Sequence, residues 1–163
     1  MNDIVIDLTK ATKFDTDYGS GSGYQFSFVV PADWEETHDL LEFFNAVPVE
    51  QAYGKWNLLC IWDETTKEGK AVESGCLPED VTTPSKTGGV VNPGDTVVMK
   101  VAITADVNRL VYHRIYDEDM GGYYLLSELQ KVEPTPTISL PVLIIAAVIV
   151  GGVLYLMIAP EIR

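Results

Sequence analysis

NPGDTVVMKVAIT, residues 92–104, carries the clearest structural signal in the chain. From Val97 to Ile103, every second residue of this run is apolar. This is the period of a strand with one buried face. Asn92-Pro93-Gly94-Asp95 stands just before this stretch, and Pro-Gly suits the two central positions of a type II turn. The run therefore predicts a tight turn that leads into a half-buried β-strand.

Strand patterns recur on both sides of this run. The five other predicted strands are IVIDL near the start, residues 24–30, the continuous apolar run WNLLCIW at 56–62, residues 110–116 and YYLLSEL at 123–129. Residues 110–116 carry apolar side chains on both parities, so we expect this strand to be covered on both faces. Six strands joined by short, turn-rich connections predict a mainly β fold, an antiparallel β-sandwich or barrel-like domain.

One helix is predicted to interrupt the strands. Asp33 and Glu36 have the spacing of a capping box, and apolar residues follow from Leu40 to Phe44. Pro48 would end the helix, and His38 would lie within it.

Composition excludes several classes of protein. Of 163 residues, 24 are acidic and 11 basic, which gives a formal net charge of -13. The basic residues are scattered, and a nucleic-acid-binding protein needs a basic patch, so we expect no nucleic-acid partner. The apolar share of 47% is enough for a packed core.

A second signal lies near the end of the chain. The segment Ile138–Ala159 contains 22 residues without a charged side chain. As a helix it would be about 33 Å long, enough to cross about 30 Å of hydrocarbon. Ala147, Gly151 and Gly152 form a small-residue face that would suit either a helix–helix partner or lipid. We expect a single C-terminal transmembrane helix in contact with a lipid bilayer.

These signals predict four segments. An acidic β-rich soluble domain covers residues 1–131, a Pro/Thr spacer 132–137, the transmembrane helix 138–159 and a short tail 160–163. The first 14 residues lack the basic and apolar regions of a secretory signal. The sequence therefore favours a C-terminally anchored, single-pass membrane protein with its domain on the side of synthesis, the cytoplasm.

Cys60 and Cys76 are the two thiols of the chain. In an oxidising compartment they could form a disulfide, whereas in the cytoplasm they would stay reduced as small buried residues. With His38 and His113 they do not reproduce zinc-ligand spacing.

Catalytic motifs are not evident in the sequence. GSGSG at 19–23 places Gly21 where a nucleophile elbow requires serine, and no P-loop motif follows, so a surface loop is expected. Neither His38 nor His113 has a serine or cysteine motif to pair with. We expect a protein that is not an enzyme and has no cofactor.

Two acidic turns have some of the features of calcium loops. Asp15 and Asp17 precede a glycine loop, and Asp117 and Asp119 precede Gly121. Both lack the third ligand of an EF-hand, so the alternatives are a Ca²⁺ site or a solvated acidic turn.

Four aromatic residues stand at the ends of predicted elements, where they could be interface anchors rather than core: Trp34, Trp56, Tyr123 and Tyr124. An acidic β domain on a membrane anchor predicts a tether that holds a larger protein assembly at a bilayer, such as a minor capsid or membrane protein of a virus or phage with an internal membrane. The alternatives are an accessory subunit of a membrane enzyme complex and a cell-surface adhesin or receptor.

Overall fold

The computed structural model of the protein describes residues 3–17, 21–46 and 56–135. Contacts divide the chain into two units, Met1–Val132 and Glu133–Arg163. The predicted membrane segment 138–159, with Ala147, Gly151 and Gly152, lies outside the described residues. Within the described ranges, no helix is both long and apolar enough to cross a membrane.

The described part of the first unit is built mainly from β-strands. The strands are β1 (Ile4–Asp7), β2 (Thr12–Phe14), β3 (Ser22–Val29), β4 (His38–Asp39), β5 (Trp56–Asp63), β6 (Glu68–Ala71), β7 (Val90–Val91), β8 (Thr96–Ile103), β9 (Arg109–Asp117) and β10 (Gly122–Gln130). One α-helix, α1 (Leu40–Asn45), accompanies them. This confirms a mainly β fold with one helix.

The strands pair antiparallel in three sheets. One sheet has the order β1-β9-β10, a second has the order β2-β3-β8-β5-β6, and β4 pairs with β7. The six strands predicted from the sequence correspond to β1, β3, β5, β8, β9 and β10. β8 lies at the centre of the five-stranded sheet, between β3 and β5.

The main core lies between the three-stranded and the five-stranded sheets. On β8 the alternating residues from Val97 to Ile103 point into it, as their period predicts. Val98 and Ala102 on the other face are buried too, so β8 is not the half-buried strand that the sequence predicted. Leu110 and Tyr112 of β9 contribute from the other sheet. The predicted turn is present before β8, where the Asp95 N–H donates to the Asn92 carbonyl at 3.0 Å and Gly94 has φ of 93°. A positive φ at this position explains the glycine.

The run WNLLCIW is apolar throughout because β5 is buried on both faces. Leu58 and Ile61 face the main core, whereas Cys60 and Trp62 belong to a second cluster on the other face. The segment 72–89, which we call the cover, supplies Leu77 and other apolar residues to this second cluster.

The helix is shorter than predicted and begins later. Asp33 lies in a 3-10 turn, Ala32–Trp34, and Glu35 then adopts a left-handed φ of 62°, which interrupts any helix there. His38 lies in β4 rather than in the helix. The Asp39 N–H donates to the Glu42 carboxylate at 3.1 Å, so the second D-x-x-E sequence of this region caps α1.

β9 is covered on both faces over only part of its length. Leu110, Val111 and Tyr112 are buried, but burial declines beyond them and Tyr116 is 50% exposed. The end of the β9–β10 hairpin therefore presents apolar side chains to solvent.

Candidate protein-interaction surface

The end of the β9–β10 hairpin carries four exposed large side chains, which we call the aromatic hairpin end. They are Tyr116, Met120, Tyr123 and Tyr124, with exposed fractions of 50%, 73%, 39% and 39%. Tyr116 and Tyr123 occupy directly opposed positions of the two strands, and their rings meet edge to face with centroids 5.0 Å apart. Cross-strand aromatic pairs stabilise such hairpins.

The turn of this hairpin is held by Asp117. Its Oδ1 accepts hydrogen bonds from the N–H groups of Asp119 and Met120, at 2.9 and 3.1 Å. Gly121 adopts φ of 67° and donates its N–H to the Asp117 carbonyl at 2.9 Å. These bonds fix the position from which Met120 projects into solvent.

Arg114 anchors the base of the aromatic hairpin end. Its guanidinium carbon lies 3.3 Å from the centroid of the Tyr123 ring, a cation–π contact. Nε and Nη2 donate to the two carboxylate oxygens of Glu36, and Nη2 also donates to the Trp34 carbonyl at 2.9 Å. The Arg114 side chain is only 8% exposed. The mostly buried Arg114 guanidinium therefore joins the hairpin to the segment before β4.

His38 lies next to Glu36 and continues this group of ionisable side chains toward the helix. It is 3% exposed, and its Nδ1 lies 2.7 Å from Glu42 Oε2, with Nε2 3.4 Å from Glu36 Oε1. Its ring packs edge-on against Trp34, with centroids 5.2 Å apart. Arg114, Glu36, His38 and Glu42 form an alternating chain of basic and acidic groups, which we call the charge chain.

The contacts of the charge chain shift the pKa values of Glu36, Glu42 and Arg114. Burial is the largest single influence on Glu36 and would raise its pKa. The hydrogen bonds from Arg114, a backbone hydrogen bond and the Arg114 charge together outweigh burial and hold that pKa below its usual value. Burial likewise opposes the shift at Glu42, yet hydrogen bonds from His38 and the Asp39 N–H lower its pKa. The bond with Glu36 raises the pKa of Arg114.

The four aromatic residues singled out from the sequence have different surroundings. Trp34 is fully buried, so it packs inside the domain and offers no surface to a partner. Trp56 is half-buried against the main core. Tyr123 and Tyr124 do reach the surface at the aromatic hairpin end. Tyr116 was missed as a surface residue, although its place opposite Tyr123 follows once the turn at 117–121 is recognised.

The two acidic turns do not converge on a third ligand in the described ranges. Across residues 3–17, 21–46 and 56–135, no three His, Cys, Asp or Glu side chains come together as a metal site would require. Asp117 uses its carboxylate for its own turn, and Asp119 is exposed beside it. Asp15 and Asp17 are exposed on the loop after β2. A Ca²⁺ site at either turn stays a prediction.

Neither His113 nor the two cysteines belong to the aromatic hairpin end or the charge chain. His113 bridges Asp3 and Glu128, at 3.1 Å from each, on the outer face of β9. Cys60 and Cys76 form a disulfide with Cα atoms 5.9 Å apart, which ties the cover to β5. The Lys100 ammonium donates to the Cys76 carbonyl at 3.0 Å and reinforces this attachment.

Comparison with protein families, curated proteins and solved structures finds no match to this chain. Its class is that of a mainly β protein with antiparallel sheets and an exposed aromatic hairpin end, and its function has to be argued from these features.

Proposed function

We propose that the protein is a non-enzymatic, membrane-anchored structural protein that tethers a larger protein assembly to a lipid bilayer. The β domain docks on a protein partner through the aromatic hairpin end, and the segment Ile138–Ala159 holds the chain in the bilayer. A virus or phage with an internal membrane is the kind of assembly we propose, with this chain as a minor component.

The observation that carries the docking proposal is the aromatic hairpin end itself. Tyrosine and methionine are enriched at the centres of protein interfaces, and exposed apolar patches with a polar rim mark interaction sites. The carboxylates of Glu118 and Asp119 provide such a rim. The charge chain beneath Tyr123 holds this ring in place before a partner arrives, which lowers the entropy cost of binding. Tyr124 follows Tyr123 on the strand and points to the opposite face, so a partner would contact both sides of the hairpin end.

The disulfide favours a second candidate, a cell-surface adhesin or receptor. Disulfides persist mainly in oxidising compartments, so a Cys60–Cys76 bond in the living source would support a domain outside the cytoplasm. Alkylating free thiols before lysis distinguishes the two cases. Protected cysteines would favour the receptor, and two free thiols would contradict it.

The tether proposal is tested by the particle with which the native protein travels. The full chain is extracted in mild detergent, and its companions are identified by mass spectrometry. We expect a megadalton particle with one companion in very many copies, and retention in the membrane pellet after an alkaline wash. A defined complex with multi-pass subunits would instead identify an accessory subunit, and a lone monomer would overturn the tether.

The docking surface is tested by variants of the same full chain. Met120→Glu combined with Tyr124→Glu should release the protein from its particle while the membrane pellet still retains it. Val72→Glu is the matched control, because Val72 is 51% exposed and lies on the cover, away from the hairpin. Equal loss in both variants, or loss in neither, would contradict docking through the aromatic hairpin end.

A further inference from the structure

The aromatic hairpin end is open to solvent on three sides. Tyr116 and Tyr123 lie on one face of the β9–β10 hairpin, whereas Tyr124 follows Tyr123 directly and lies on the other. Met120 projects from the turn between the strands and is 73% exposed. A flat surface can contact only one of these sides at a time. A partner that covers all four side chains therefore needs a concave site.

The charged residues around these side chains are all acidic. Between Ile115 and Gln130 the chain has acidic residues at 117, 118, 119 and 128 and no lysine or arginine. Across residues 3–17, 21–46 and 56–135, no basic side chain forms an ion pair with the three acidic residues of the turn, 117–119. Arg114 stands nearest in the sequence, but its guanidinium donates to Glu36 and to the Trp34 carbonyl. The tip of the hairpin therefore presents negative charge that the described part of the domain does not neutralise.

We propose that the aromatic hairpin end inserts into a cleft of a partner protein that has apolar walls and a floor of lysine or arginine side chains. This assignment rests on the proposed docking function and adds the chemistry of the partner. The walls contact the tyrosines on the two faces of the hairpin, and the basic floor meets Glu118 and Asp119, which are exposed at its tip. Complementary charges across an interface give specificity and speed the encounter of the partners.

Two other occupants fit the hairpin end less well. Each copy of the chain carries a net charge of -13, so two copies repel one another. The surface of an anionic membrane carries a negative potential and attracts basic segments, whereas the carboxylates of Glu118 and Asp119 are repelled by it. A basic cleft on a different protein satisfies both the apolar side chains and the charge.

The test uses the full chain in detergent micelles and, as its probe, the companion protein that copurifies with it. Glu118→Gln combined with Asp119→Asn removes two charges and leaves the Asp117 carboxylate that holds the turn. Asp15→Asn combined with Asp17→Asn is the matched control, because it removes two charges from the exposed acidic loop after β2.

The salt dependence of binding reports the charge of the cleft. At about 50 mM salt we expect the Glu118 and Asp119 pair of substitutions to weaken binding about tenfold and the control pair less than about twofold. Replacing Glu118 and Asp119 with lysine should weaken binding further, because two cations would then face the basic floor. Near 0.5 M salt these differences should largely disappear, since salt screens the charges.

Met120→Ser combined with Tyr124→Ser separates this inference from the docking proposal, because it removes apolar contacts without changing the charge. If this pair releases the companion while the Glu118 and Asp119 substitutions do not, the hairpin end docks but its cleft is not basic. Equal weakening by the two acidic pairs would be a general effect of net charge and would also contradict the basic cleft. If none of the hairpin variants weakens binding, or the chain has no companion, docking through the hairpin end is itself wrong.

Discussion

Arg114 is the residue on which the aromatic hairpin end depends most. It is the one side chain in the described ranges that contacts the Tyr123 ring, the Glu36 carboxylate and the Trp34 carbonyl together. A planar guanidinium can stack on a ring and donate two parallel hydrogen bonds at once, which an ammonium cannot do. The sequence shows an arginine on a strand of apolar character, but it does not show that this arginine contacts Tyr123, Glu36 and Trp34.

Replacing Arg114 with methionine should lower the free energy of unfolding by about 1–3 kcal/mol, because a mostly buried charge pair loses one partner. Urea denaturation of the full chain measures the change. Lys10→Met is the matched control: Lys10 pairs with Asp7 at the surface, with its side chain 83% exposed, and should cost less than about 0.5 kcal/mol. Arg114→Lys should recover only part of the loss. Equal costs for Arg114→Met and Lys10→Met would show that the charge chain does not stabilise the fold.

At the scale of elements, the cover explains why β5 is buried on both faces. Thr82 joins the cover to β6, where the Gly69 N–H donates to the Thr82 carbonyl at 2.8 Å and the Thr82 N–H to the Lys67 carbonyl at 2.9 Å. The disulfide makes a covalent link to β5. Together they place apolar residues of an irregular segment over Cys60 and Trp62, a role that strands fill elsewhere in the fold.

Removing the disulfide with Cys60→Ser and Cys76→Ser should destabilise the domain by about 3 kcal/mol, because the bond closes a loop with a sequence separation of 16. The emission of Trp62, which lies beneath the cover, should shift to longer wavelength as the cover loosens. Dithiothreitol should reproduce both changes in the parent chain and have no effect on the double variant. Unchanged stability after complete reduction would show that apolar packing alone holds the cover.

At the scale of the whole molecule, the excess of acidic groups links folding to pH. Hydrogen bonds to the carboxylates lower the pKa of five groups in the folded domain. Burial opposes the shift at all five, and it is the largest single cause only at Glu36 and Glu42. The five are Asp7, Glu36, Glu42, Glu64 and Glu128. A carboxylate with a lowered folded pKa stabilises the fold above its unfolded pKa, and this contribution is lost as the pH falls through the folded value.

We therefore expect the melting temperature to fall by several degrees as the pH drops below about 4.5, the ordinary value for glutamate. Scanning calorimetry across this range measures the effect. Glu42→Gln should flatten the dependence, because it removes one of the shifted groups, whereas Glu79→Gln, at an exposed site on the cover, should leave its slope unchanged. A melting temperature that rises on acidification would mean that relief of the net negative charge dominates.

The local pattern of the sequence determined six of the ten strands in the described ranges and the turn before β8; it missed the short strands β2, β4, β6 and β7. Period-two alternation identifies β8 and the face that packs on the main core, and Pro93-Gly94 identifies the turn before it, because both signals depend only on neighbouring residues. The length of Ile138–Ala159 and its lack of charge predict a membrane span for the same reason.

Contacts between distant segments decided the rest. Two D-x-x-E sequences compete to cap the helix, and the second is used because His38 and Asp39 pair with Val90 and Val91 of β7. Trp34 is buried because elements distant in the sequence pack around it. Tyr116 reaches the surface because the core ends before this position along β9. No period or spacing encodes these outcomes, since each depends on residues that are far apart in the chain and meet only in the folded domain.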